Sequence, residues 1–190
     1  MSVKIIAGKF KGMCVDVPLS ARPTLARARQ TLFDTLESLC IDRSFGEFFK
    51  AKTVIDCFAG SGAVGLEALS RGAQYAYFVD KDKDAIKILK SNVAKTNSEK
   101  LSEIIHSDIT KLKKNNTNGC DFTFLDPPFH ANIGIQKVIE HLTENEWIKK
   151  DAILVIETPK EIINLQNFKT ITYKKIGNIT FTVYINCNKF

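Results

Sequence analysis

Between Lys52 and Glu157 the chain alternates short, near-continuously apolar runs with helical patterns, and no other feature restricts its fold so much. The runs are TVIDCF, YAYFVD, EIIHSD, CDFTFLD and AILVIE. Helical patterns separate them: AVGLEALSRG, stopped by Gly72, then about 82–96, then about 133–142. Strands without polar alternation are buried on both faces, and strands separated by helices pair in parallel. Right-handed crossovers make such a sheet doubly wound and Rossmann-like, with ligands at the carboxyl ends of the strands. FKTITYKKI and ITFTVYI flank Gly177-Asn178 and predict a closing hairpin in which Ile179, Phe181, Val183 and Ile185 alternate. The expected fold is α/β, a seven-stranded, mostly parallel sheet with an antiparallel C-terminal hairpin.

The first forty residues follow a different pattern. KIIAG and CVDVP around KFKGM predict a short β-hairpin turning at Gly8 and Gly12. TLARARQTLFDTLESLC then carries Leu25, Ala28, Leu32, Leu36 and Leu39 at helical spacing, with Pro23 before it and Thr24 as a cap. A chain of 190 residues is expected to form one domain, with 1–22 as a hairpin arm and 23–40 as a leading helix. Arg27 points away from the apolar stripe, whereas Arg29 sits at its edge and needs an anion, either a core carboxylate, which is preferred, or a pocket. KKNNTNG reads as a solvated loop, His106 as core, His141 as surface and His130 as a solvated loop residue.

Composition narrows the setting. No apolar run approaches the roughly 18 residues that span a bilayer. MSVKIIAGKF is too short in apolar residues for a signal peptide. The five cysteines (Cys14, Cys40, Cys57, Cys120, Cys187) are scattered and form no Cys-x-x-Cys pair, which argues for reduced thiols in the cytoplasm, without a disulfide framework or a metal. The net charge is +6, and it is concentrated at the ends. Residues 1–30 hold six basic side chains against Asp16, and 169–190 hold four lysines and no acid. Three of the five arginines, Arg22, Arg27 and Arg29, fall within eight positions. Basic ends on a slightly acidic body suggest a polyanion partner, with lysine-rich solubility as the plain alternative.

The strand ends carry the chemistry. Each of the five runs carries an acid at or near its carboxyl end: Asp56, Asp80, Asp108, Asp126 and Glu157. After Asp56 comes the turn AGSG, and Gly60-x-Gly62-x-x-Gly65 also fits a dinucleotide fingerprint. An acid just before the loop would repel a pyrophosphate, and an acid-lined crevice suits a cation. S-adenosylmethionine has a sulfonium, an ammonium, a ribose diol and no phosphate. Asp80 is placed to accept from the ribose hydroxyls, a role shared with NAD enzymes. Asp108 either accepts from the adenine amino group or caps the segment beginning at Thr110.

FLDPPF, 124–129, ends the fourth run on a rigid corner. An exocyclic amino group on a nucleobase is a poor nucleophile because its lone pair is conjugated with the ring. Asp126 and the carbonyl of Pro127 can accept from its two N–H groups, with the prolines fixing the corner and Phe129 stacking on an extruded base. An isolated Asp-Pro-Pro is an ordinary turn. Following a strand in a doubly wound pattern, it reads as an amino clamp.

DCFAGSGAVGLEALSRGA (56–73) together with FLDPPF, KIIAGKFKG (4–12) and RPT…R.RQTLF (22–33) resembles the bacterial 16S ribosomal RNA guanine-N2-methyltransferases, of the class I S-adenosylmethionine-dependent fold. The resemblance runs along essentially the whole chain. It implies methylation of a guanine amino group in small-subunit ribosomal RNA, met in a partly assembled particle, with no metal, no membrane and no required oligomer. It implies Asp126, Pro127, Pro128 and Phe129 at the amine. It implies Asp56, Gly60, Gly62, Asp80 and Asp108, with Phe58, Ala59, Ser61, Lys81 and Ile109 beside them, at the cofactor. Lys9, Lys11, Arg22, Arg27 and Arg29 of the arm would touch RNA. One departure stands out: Ala28-Arg29-Gln30 replaces the Val-Arg-Glu common in the family. The residues alone leave open another RNA or DNA amino group, an NAD-dependent oxidoreductase, and a non-catalytic RNA-binding module.

Overall fold

The computed structural model describes residues 1–18, 25–39, 48–127, 134–159 and 162–187, without the side chains of Leu25 and Ala26. The elements in chain order are β1 (Ser2–Lys4), β2 (Cys14–Asp16), α1 (Leu25–Ser38), β3 (Thr53–Cys57), α2 (Ala63–Ser70), β4 (Tyr75–Asp80), α3 (Lys83–Lys95), β5 (Ser102–His106), β6 (Cys120–Leu125), α4 (Ile135–Glu144), β7 (Ile148–Thr158), β8 (Phe168–Ile176) and β9 (Ile179–Asn186). Pro23 and Thr24 lie outside the described residues, as does Cys40. Cys14, Cys57, Cys120 and Cys187 are free thiols.

The seven-stranded sheet has the order β5-β4-β3-β6-β7-β9-β8, and β1 and β2 form a separate antiparallel pair. β3 pairs in parallel with both β4 and β6, so the strand order reverses between β3 and β6, the switch point at which such sheets bind ligands. Alternate residues of each strand enter two cores. Val54, Phe78, Phe122, Phe124, Val155 and Phe181 pack beneath α1, α2, α3 and the β1–β2 arm. Ile55, Val79, Leu125, Ile156 and Tyr184 pack beneath α4. This double covering is the reason the central strands show no polar alternation.

Four expectations change. β9 alternates in sequence, yet Thr180 and Thr182 are buried as fully as Phe181, because β9 lies inside the sheet between β7 and β8. His106 is exposed rather than core, since β5 is an edge strand. Its Nε2 lies 3.1 Å from the Lys81 carbonyl. In the 113–119 loop Asn115 is buried, with its Oδ1 accepting from the Thr117 amide and hydroxyl. His141 is half-buried against the Leu112 carbonyl at 3.0 Å, so it is not a plain surface residue. The lysines Lys169, Lys174 and Lys175 stand exposed on β8, the other edge, where charge discourages pairing with a second sheet.

Candidate active site

Side-chain parity gathers the acids. Asp56 follows Val54 by two, Asp80 follows Phe78, Asp126 follows Phe124 and Glu157 follows Val155, so all four lie on the sheet face that α1–α3 cover. The strands are in step: Asp56 is opposite Phe78 and Phe124, and Leu125 is opposite Ile156. A cleft of about 510 Å³ opens at these strand ends, and all four acids line it. Phe58 to Ser61, Phe124, Pro127 and Phe181 line it too, and the opposite wall comes from Val3, Val17 and Pro18 of the arm with Ala28, Arg29 and Leu32 of α1. Apart from Arg29, which was expected to need an anion, the sequence offered only alternation and a helical stripe for those wall residues, so their part in the site was not readable from it.

The loop after β3 divides its glycines between tasks. Phe58 adopts φ 62°, a left-handed conformation that is uncommon for a bulky residue and typical of constrained sites. The Ala59 amide then donates to the Val79 carbonyl at 2.9 Å, turning the chain across the end of β4. At Gly60, φ 54°, an added Cβ would meet nothing nearer than the Phe58 carbonyl at 4.0 Å, so this backbone is open to a ligand. Gly62 and Gly65 serve packing instead, since a Cβ would overlap Leu89 at Gly62 and the Phe78 ring at Gly65. Asn92, fully buried on α3, donates to the Ser61 and Asp16 carbonyls at 2.8 Å and accepts from the Asp16 amide at 2.8 Å. It ties the glycine loop to β2 of the arm.

The carboxylates have distinct surroundings. Asp80 accepts from the Gly60 amide at 2.7 Å through Oδ2 and from the Asp82 amide at 2.9 Å through Oδ1. It therefore holds the loop, and each oxygen retains a further lone pair for a diol. Asp56 is buried and accepts from the Gly65 amide at 2.9 Å. Burial pushes its carboxyl well above the ordinary carboxylate range, the Gly65 N–H opposes this, and Asp126 and Asp80 add to the rise. A cation placed beside it would favour its ionised form. Asp108 caps the 3-10 turn Ile109–Lys111, accepting from the Thr110 amide at 3.0 Å and hydroxyl at 2.8 Å, and these bonds lower its pKa. It lines a small neighbouring recess with Ile109 and Ser107, joined to the main cleft through the shared residues Phe58, Asp80 and Lys81. Asp126 and Pro127 both face the main cleft. Pro128, Phe129 and His130 lie outside the described residues.

Among the arm's basic residues, Lys9, Lys11 and Arg27 are exposed, and Arg22 lies outside the described residues. Arg29 is not part of the exposed basic surface: it is only 4% exposed, its Nη2 donates to the Lys4 carbonyl at 2.6 Å, and it meets a core carboxylate, the preferred of its two expected partners. Its carboxylate neighbour is Glu67, 3.9 Å from Nε, while Gln30 bonds Asp34 on the helix exterior. Glu67 is fully buried and also accepts from the Ile6 and Ala7 amides at 2.8 and 3.1 Å and from Arg71 Nε at 2.9 Å. Arg71 reaches Glu37 at 3.4 Å and stacks 4.7 Å from the Phe33 ring centre. Ser70 completes the joint, receiving the Phe10 amide at 2.8 Å on its hydroxyl and the Lys9 amide at 2.7 Å on its carbonyl. Gly8 is required there, because a Cβ would collide with the Ser70 carbonyl. The LEALSRG segment thus anchors the arm, and the arm in turn walls the cleft.

Residues 3–185 match the family described as conserved hypothetical protein 95. The chain is similar to the ribosomal RNA small subunit methyltransferase D of Haemophilus influenzae, 36% identical over 191 residues, covering 97% of this chain and 94% of that protein. It is 32% identical to the protein of the same name from Escherichia coli K12, covering 84% of this chain and 76% of the relative. The solved structure of the Escherichia coli protein yhhF superposes with a TM-score of 0.81 at 27% identity, over the full length of both chains.

Proposed function

The chain belongs to the conserved hypothetical protein 95 family, which it shares with the ribosomal RNA small subunit methyltransferases D, and from that membership and the acid-lined cleft we propose its reaction in detail. It is a ribosomal RNA methyltransferase. The substrate group is the exocyclic N2 amine of a guanine in small-subunit (16S) ribosomal RNA, met in a partly assembled particle, and the methyl donor is S-adenosylmethionine.

The donor fits the cleft by charge. Its cationic end suits Asp56 beside the glycine loop in this acid-lined cavity, and its carboxylate suits the buried Arg29 on the opposite wall. Asp80 accepts from the ribose diol, Gly60 allows close approach, and Asp108 with Ile109 would meet the adenine edge from beside the cleft. S-adenosylmethionine supplies an electrophilic methyl group on sulfonium. Asp126 and the Pro127 carbonyl accept from the two amine N–H groups, hold the nitrogen in line and favour a localised lone pair. As the N–C bond forms and the C–S bond breaks, Asp126 is placed to take the departing proton. Phe129, outside the described residues, is proposed from the sequence to stack on the base. The proposed reaction requires no oligomer, and the bacterial cytoplasm, where small subunits are built, is the proposed place of action.

The observation carrying this reading is the convergence of Asp126-Pro127 with the Asp56–Asp80 glycine loop in one cleft of a chain with these relatives. Ribosomal RNA from cells lacking the protein should lose one N2-methylguanosine by mass spectrometry, restored by the wild-type gene. An unchanged set of methylguanosines would refute the substrate.

The exposed Lys9, Lys11 and Arg27 are proposed to touch RNA phosphates. Each alanine substitution should weaken RNA binding and flatten its dependence on log salt by roughly 0.7–0.9 for every phosphate that is no longer neutralised, with base choice unchanged. A salt slope equal to that of the wild type in the triple variant would remove these residues from the interface.

A further inference from the structure

Asp126 is not alone beside the amine. Leu125 of β6 pairs in register with Ile156 of β7, so the next residue on each strand, Asp126 and Glu157, stand side by side. Both follow core residues of the same face, Phe124 and Val155, and both line the cleft. Neighbouring strands run about 4.8 Å apart, which brings two carboxylates to adjacent points of one wall. Glu157 is 5% exposed, opposite Phe181 of β9, which lines the same wall. The clamp of Asp126 and Pro127 accounts for an amine and makes no use of Glu157.

Resting on the proposed guanine reaction, we infer that Glu157 is the residue that selects guanine, accepting the N1–H beside the N2 amine held by Asp126. The Watson–Crick edge of guanine presents N1–H and N2–H₂ as neighbouring donors, and two neighbouring acceptors match them. Adenine presents a lone pair at N1, which a carboxylate repels. A base lacking the N1 proton leaves Glu157 buried against an acceptor, and sites built to satisfy a hydrogen bond reject such analogues strongly. A carboxylate has about four acceptor positions, so this role is compatible with other bonds to Glu157. Phe181 gives the base an apolar surface next to the carboxylate.

The test uses small-subunit ribosomal RNA with either guanine or 2,6-diaminopurine at the position that the wild-type protein methylates, located first by mass spectrometry. Diaminopurine keeps the N2 amine, replaces the N1–H with a lone pair and exchanges the O6 carbonyl for an amine, so the comparison with Glu157→Gln assigns the preference to N1. The wild-type protein should favour guanine by roughly tenfold or more in kcat/KM, the size of one mismatched base-edge pairing. Glu157→Gln, whose amide can turn to donate to N1, should shrink that preference about tenfold while melting as the wild type does. Equal wild-type rates on the two bases overturn the inference without recourse to any variant. A preference retained in full by Glu157→Gln overturns it as well. If the wild-type protein methylates no guanine and modifies another base, the underlying reaction is wrong and the role of Glu157 falls with it, an outcome visible before any variant is made.

Discussion

Asp126→Ala is expected to slow methyl transfer to ribosomal RNA by about 10²–10³-fold, the usual cost of removing one preorganised transition-state interaction. Affinity for S-adenosylmethionine should change little. Asp126 faces the cleft from the end of β6, whereas the glycine loop is held by Asp80, which bonds the Gly60 amide, and by Asp56, which bonds the Gly65 amide. Neither bond involves Asp126. Its removal also takes away one of the charges that push the Asp56 carboxyl upward, after the larger effect of burial. Single-turnover transfer with saturating cofactor reads the first effect and calorimetry the second. A transfer rate within a few-fold of wild type would remove Asp126 from the chemistry. Cofactor binding that disappears together with transfer would move it to the donor site.

Glu67→Ala is expected to cost about 3–5 kcal/mol of stability, because it leaves two buried arginines without their shared carboxylate. For a chain of this size that corresponds to a melting temperature lower by roughly 10 °C. Glu67 has no solvent exposure, and the Ile6 and Ala7 amides lose their acceptor with it. The damage should extend to the cleft, since β1, β2 and α1 form its outer wall. Hydrogen exchange should quicken first at Ile6 and Ala7 and only later in the central strands. Glu67→Gln, which keeps the acceptor oxygen and loses the charge, should fall between. Melting that matches the wild type in the alanine variant would show that the ion network contributes nothing to holding the arm.

The family blocks of the sequence hold two kinds of residue, and only one kind was legible. Asp56, Gly60 and Asp80 could be assigned to a ligand from the strand–turn–helix pattern, because a doubly wound sheet delivers strand ends to its crevice whatever the details of packing. Glu67, Ser70 and Arg71 stand in the same block as Asp56 and Gly60, yet they hold the arm. Gly65 completes a dinucleotide-like spacing, yet its missing Cβ makes room for the Phe78 ring. Arg29 was legible as a residue needing an anion. That the anion is Glu67, with the guanidinium also facing the cleft, depended on how α1 crosses α2.

By itself the sequence determined the sheet, its parallel order and the line of acids at the strand ends. These follow from local periodicity and from the two-residue repeat of a strand, which needs no knowledge of distant partners. The tertiary structure alone decided that four of the acids share one face while Asp108 takes a side recess, that Glu67 is the carboxylate Arg29 meets, and that Glu157 stands beside Asp126. Those facts depend on register between strands and on the docking of the arm, in which residues far apart in the chain share charges and hydrogen bonds. Register and docking are set by packing summed over whole elements, and no short stretch of sequence encodes that sum.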